Sequence, residues 1–200
     1  NINNSMKKSI TLLTALIIGH FIIAQTTIPN GGFETWTGTG STMEPNSFHS
    51  NKTGTGFASS GPQTLFRDNA VVHSGTYAAR VETVNYIGTA VNGALTSGLV
   101  NAPTFSKADG YIGTRQGATG TTINRISFVG RPDSIVGYYQ YTQGGSSEIG
   151  KFYAILHLGN YYDPSAATTY HPDSSSNKIA DALCKQRIFF RVFGGNGFRN

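Results

Sequence analysis

The chain has 200 residues, a length for one domain with short appendages. Gly is 25 of these, aromatic residues are 12% and charged residues only 12%, which excludes a helical bundle and a disordered chain and points to an all-β, extracellular type of fold. A single cysteine rules out an intramolecular disulfide and a cysteine-based zinc site. The formal charge of +5 is concentrated at the ends: Lys7 and Lys8 lie near the start and Lys185, Arg187, Arg191 and Arg199 near the finish, so nine basic side chains face ten acidic ones between them. A near-neutral middle argues against a nucleic-acid partner.

Met6-Lys7-Lys8 followed by the apolar run Ile10 to Ile23 has the order of a secretory signal peptide, expected over 6–24 with cleavage after Ala24. The run is too short and too interrupted, by Thr14 and His20, to span a bilayer, so membrane contact is expected only in transit. Asn1 to Ser5 precede Met6 and read as upstream codons translated in frame. After Gln25, Ile28 to Trp36 is expected to be a first strand and Thr37 to Pro62, rich in Gly, Ser and Thr, a loop. Tyr77, Ala79, Val81 and Thr83 alternate with Ala78, Arg80 and Glu82, the period of a half-buried strand. Thr89 to Leu95 and Arg125 to Val129 are shorter strand candidates.

Ser134 to Tyr141 and Ile149 to Leu158 flank a Gly-Gly-Ser-Ser turn, and this arrangement predicts a hairpin. In its second strand Phe152, Ala154, Leu156 and Leu158 would share an apolar face, with Lys151, Tyr153, Ile155 and His157 opposite. Ser174-Ser175-Ser176 ahead of Lys178 to Leu183 predicts one short capped helix. From Cys184 the chain turns basic, Phe-rich and Gly-rich, consistent either with a truncated or frame-slipped end at 184–200, which would be irregular, or with a last strand over Ile188 to Phe193.

Three segments stand out together. They are Ile28-Pro29-Asn30-Gly31-Gly32-Phe33-Glu34-Thr35-Trp36, then Val72-His73-Ser74-Gly75-Thr76-Tyr77-Ala78-Ala79-Arg80-Val81-Glu82-Thr83, then Phe128-Val129-Gly130-Arg131-Pro132-Asp133-Ser134-Ile135-Val136-Gly137-Tyr138-Tyr139-Gln140-Tyr141. The set resembles the PCMD family, a carbohydrate-metabolism domain of secreted bacterial proteins, over roughly 25–183. The resemblance implies a jelly-roll-like β-sandwich, a secreted, periplasmic or cell-surface location and a link to glycans. Relatives continue to an Asp-containing C-terminal strand, and the 184–200 tail departs from that pattern.

Sugar binding uses aromatic platforms, because the C–H face of a pyranose packs on a ring while its hydroxyls reach polar side chains. Tyr139, Tyr141, Tyr153 and Trp36 are the candidate rings, with Arg131 and His157 as polar neighbours. Tyr138, Tyr161 and Tyr162 are also available, and the competing role for every ring is packing. Glu34 resembles the calcium position of related jelly-roll modules, which makes calcium the one candidate cofactor; a turn role is the alternative. The expected partner is a glycan or polysaccharide. A glycoside hydrolase would need two carboxylates flanking the scissile bond, and the acids here are scattered, with Asp163 and Asp173 in a loop able to approach others. A surface adhesion module without a sugar site is the remaining alternative. His49, His73, His157 and His171 lack metal spacing, and neither a G-x-S-x-G nor a P-loop is present.

Overall fold

The computed structural model describes residues 27–114, 126–128, 134–144, 149–164, 175–186 and 191–194, with only the backbone course for 182–186 and 191–194. The expected signal peptide, Arg131, Asp173 and His171 lie outside them. The described chain is all-β, built from short strands and 3-10 turns. In order the strands are β1 (Trp36–Thr37), β2 (Glu44–Pro45), β3 (Thr55–Gly56), β4 (Leu65–Asp68), β5 (Ala78–Val81), β6 (Val84–Tyr86) and β7 (Thr89–Val91). There follow β8 (Leu99–Ala102), β9 (Tyr111–Gly113), β10 (Gly137–Tyr139), β11 (Gly150–His157), β12 (Tyr162–Asp163), β13 (Lys178–Gln186) and β14 (Arg191–Gly194).

Two sheets have four strands. One runs β10-β14-β5-β4, antiparallel throughout; the other runs β12-β9-β8-β3, with β3 parallel to β8. Three antiparallel pairs complete the set: β1-β2, β6-β7 and β11-β13. The expected strand at 77–83 is present as β5, but it is not half-buried: Ala78 and Ala79 are both sealed, at 1% and 0% exposure. β5 lies between β14 and β4, and two consecutive alanines suit an inner strand covered on both faces. Phe33, Leu65 and Ala79 form the core beneath it, with Trp36, Phe48, Val81 and Leu95 packed against them. A second aromatic group sits in the other sheet, where Tyr111 meets Tyr162 edge-on at 5.7 Å.

Several expectations are corrected. Ile28 to Trp36 is mainly a turn, closed by Gly31 N–H to the Ile28 carbonyl and Phe33 N–H to the Asn30 carbonyl, both 2.9 Å, and only Trp36 belongs to a strand. Thr89 opens β7, whose partner β6 is reached through Ile87 and Gly88, both at positive φ (50° and 77°), as a two-residue type I′ turn requires. Residues 126–128 are in no strand. The predicted hairpin does not form: β10 pairs with β14, and β11 pairs with β13. The short helix at Lys178 to Leu183 is replaced by β13, preceded by a 3-10 turn at Ser175–Asn177. Local turn and cap signals were overridden there by an eight-residue partner strand. Lys185 and Gln186 lie in β13 and Arg191–Gly194 form the strand between β10 and β5, so these residues are not irregular.

Candidate functional site

The first two sequence motifs are halves of one structure. Asn30 sits at φ 51° and its side chain replaces a β-ladder: Nδ2 donates to the carbonyls of Thr35 (2.9 Å) and Asn46 (3.0 Å), while Oδ1 accepts from Thr35 N–H (3.1 Å). The turn drives the Phe33 ring inward, to 3% exposure and edge-on to Phe48 at 5.2 Å. It also sends Glu34 across to the second motif, where the carboxylate accepts the backbone N–H groups of Thr76 (3.0 and 3.1 Å) and Tyr77 (3.4 Å). Gly75, at φ 78°, is required there, since a Cβ would overlap that carboxylate. Glu34 therefore latches the Ser74–Tyr77 turn. Among the described residues no group of three or more His, Cys, Asp or Glu is placed to hold a metal ion.

The latched turn presents His73. Its imidazole stacks on the Tyr138 ring of β10, with centroids 3.5 Å apart and planes 11° from parallel. This joins the second motif to the third. Tyr138 is 44% exposed and Tyr139, on the opposite face of the strand, 41%. Tyr141 is half-buried just beyond the strand. Tyr153 and His157 belong to the separate β11-β13 ribbon, so they do not share a hairpin face with Tyr139. Tyr153 is exposed, whereas His157 is half-buried, stacks on Tyr161 at 5.4 Å and has Nδ1 3.1 Å from the Gly159 carbonyl. Trp36 packs on the core and donates its indole N–H to the Phe33 carbonyl at 2.5 Å, which gives it a packing role.

The described acids are largely committed to structure. Arg80 binds Asp68 (3.2 Å) and Glu82 while lying over the Phe66 ring, and Lys178 binds Asp181 at 3.1 Å. Asp109 accepts from the Thr104 hydroxyl at 2.5 Å. Asp163 is half-buried, and burial raises its pKa above the usual carboxylate value against the opposing pull of the Lys151 charge. Asp133, Glu148 and Asp173 lie outside the described residues.

Glu44 heads a group that sequence reasoning passed over as loop. It is 4% exposed. Oε1 accepts the N–H (2.7 Å) and hydroxyl (2.5 Å) of Ser50, and Oε2 accepts the Thr53 hydroxyl (2.6 Å) with His49 Nδ1 at 3.4 Å. Burial alone would raise its pKa, but the hydrogen bonds from His49, Ser50 and Thr53 outweigh that and hold it below the usual value. Asn51 continues the network, with Nδ2 donating to the carbonyls of Ala58 (3.2 Å) and Pro62 (2.9 Å) and Oδ1 accepting from Thr64 Oγ1 (2.8 Å). The Asn51-Lys52-Thr53 sequon is thus a buried structural amide in the folded chain. Only an acid, an amide and hydroxyls recurring within one short segment hinted at this knot, and that composition equally describes a loop.

Comparison of the chain with protein-family models, with curated proteins and with solved structures returned no match.

Proposed function

We propose that the protein is an exported, PCMD-like β-sandwich module that binds glycans, and that its sugar platform is the Tyr138 ring braced by His73. The observation that carries this reading is the exposed Tyr138–His73 stack. Hydrophobic burial does not call for two rings stacked in solvent, and a ring held flat by a neighbour has little freedom left to lose when a sugar packs on it. The Glu34 latch fixes the turn that supplies the brace. Tyr139 offers a second ring on the other face of the same strand. The location follows from the Lys7-Lys8 and Ile10 to Ile23 pattern, and N-terminal sequencing of secreted protein checks it.

A glycan array probed with the full chain tests the binding. Tyr138→Ala is expected to weaken binding by about 1–3 kcal/mol, the range for a lost aromatic anchor. Loss confined to Tyr139→Ala would move the site to the opposite face, and saturable binding indifferent to both would remove β10 from the site. The hydrolase alternative would need a second carboxylate beside Asp163, the half-buried acid of β12. Turnover of a labelled glycan, abolished by Asp163→Asn, would favour it.

A further inference from the structure

A second feature of ligand-binding form lies away from β10. The turn between β1 and β2, the loop 46–49, Thr53 and Leu99 of β8 line a wide, solvent-open cleft of about 590 Å³. That is within the size range of small-molecule sites. Its lining includes the apolar Pro45, Phe48 and Leu99 and neutral polar side chains such as Thr42 and Thr53. No lysine or arginine is among the described residues that line it, so it lacks the positive charge an anionic ligand would need.

The one carboxylate in the lining, Glu44, has both oxygens occupied by Ser50 and Thr53. It serves to orient its neighbour. His49 Nδ1 lies 3.4 Å from Glu44 Oε2 and 3.3 Å from Thr53 Oγ1. In the neutral imidazole a carboxylate at Nδ1 favours the tautomer with its proton there, which leaves Nε2 as an acceptor. The His49 side chain is one-third exposed and forms part of the cleft wall. The cleft thus combines an oriented acceptor, the oxygens of Thr42 and Thr53, whose protons are given to the Thr39 carbonyl and to Glu44, and an apolar surface, the complement of a neutral polyol that donates its hydroxyls and has one C–H face.

We propose that this cleft is a second binding site, for a single neutral sugar unit, with His49 Nε2 accepting a hydrogen bond from a ligand hydroxyl. The proposal rests on the glycan-binding reading but uses different residues from the Tyr138 platform. The test is an NMR titration of the isotope-labelled full chain with the methyl glycosides of glucose, galactose and mannose, and separately with glucuronate and inorganic phosphate. Saturable shifts of the His49 imidazole with at least one neutral glycoside, and none with phosphate or glucuronate, are expected. His49→Gln should weaken that binding about tenfold, the scale of one lost hydrogen bond, while the labelled chain keeps the dispersed spectrum of the folded state. Shifts confined to Tyr138 and His73 would overturn the cleft site and leave the glycan reading standing. Shifts at His49 with silence at Tyr138 would support the cleft and count against the β10 platform. No response at His49 to any neutral glycoside, or an equal response to phosphate, overturns the proposal.

Discussion

The segment 44–64 and the β11-β13 ribbon are ordered by opposite means. In the first, strands are two residues long, and Glu44, Ser50, Asn51 and Thr64 are buried at 4%, 1%, 7% and 0% exposure. Their side chains bind the backbone in place of a ladder, and Lys52 adds bonds to the carbonyls of Ser59 (2.5 Å) and Gly61 (2.9 Å). Among the described residues no buried side-chain nitrogen or oxygen lacks a partner. In the ribbon the ladder runs through eight register pairs, yet Ile149, Leu158 and Ile179 are 51%, 69% and 64% exposed. Backbone pairing there asks little of the side chains, whereas the polar knot depends on every one of its own. A buried network of this kind is cooperative, because removing one member strands the others.

The largest effect is therefore expected at Asn51. Asn51→Ala takes the side-chain partner from the Thr64 hydroxyl and the Pro62 carbonyl and one of two donors from the Ala58 carbonyl, which keeps the Gly61 N–H, and should cost about 3 kcal/mol in urea unfolding. Leu158→Ser, just past the end of β11, should stay within about 0.5 kcal/mol. Equal losses at the two positions would erase the contrast.

Glu34→Ala comes next. Its bonds to Thr76 and Tyr77 are exposed, so water can replace the carboxylate, and a loss of about 1 kcal/mol is expected. The functional consequence should be larger than the stability one, because the released turn no longer holds His73 against Tyr138. Glycan binding that falls while the melting temperature barely moves is the expected pattern. Unchanged binding would detach the latch from the site.

The smallest effects are in pH dependence, and they have opposite signs in two regions. The Glu44 pKa is lowered in the folded chain, so its contribution to stability is complete above the unfolded carboxylate value and is lost as pH falls through the folded one. Glu44→Gln should flatten the acid limb of a stability profile. The Asp163 pKa is raised, so that carboxyl favours the folded state most when protonated, and the advantage fades as pH rises from the unfolded value through the folded one. Asp163→Asn should therefore be neutral or stabilising at pH 7. Melting curves collected from acid to neutral pH for both variants check the two signs together.

The sequence revealed the parts of this fold that depend on local pattern. The all-β class followed from Gly and aromatic content with few charges, and β5 from the alternation after Gly75. Partner choice was not readable. A Gly-Gly-Ser-Ser stretch says that a chain can turn, but not that β14 lies between β10 and β5 or that β13 lies against β11. The serines before Lys178 fit a helix cap equally well as a 3-10 turn entering a strand. At the candidate site, Tyr138 was visible as one ring among many. Its brace was not, because His73 is 65 residues earlier and is positioned by a carboxylate 39 residues before that. The polar knot was hidden because Glu, Ser, Asn and Thr mark loops on composition, and only three-dimensional closure turns them into a core.

The most direct test of the account is a distance measurement at the Tyr138 ring. With ring-labelled tyrosine and an unlabelled glycan selected on the array, isotope-filtered NOEs should connect the Tyr138 ring protons to sugar C–H protons. Binding itself should persist in Tyr138→Phe, which keeps the ring, and weaken in Tyr138→Ala. A bound glycan whose C–H protons show NOEs to Tyr153 or Tyr139 and none to Tyr138 would contradict the claim that the His73-braced ring is the sugar platform.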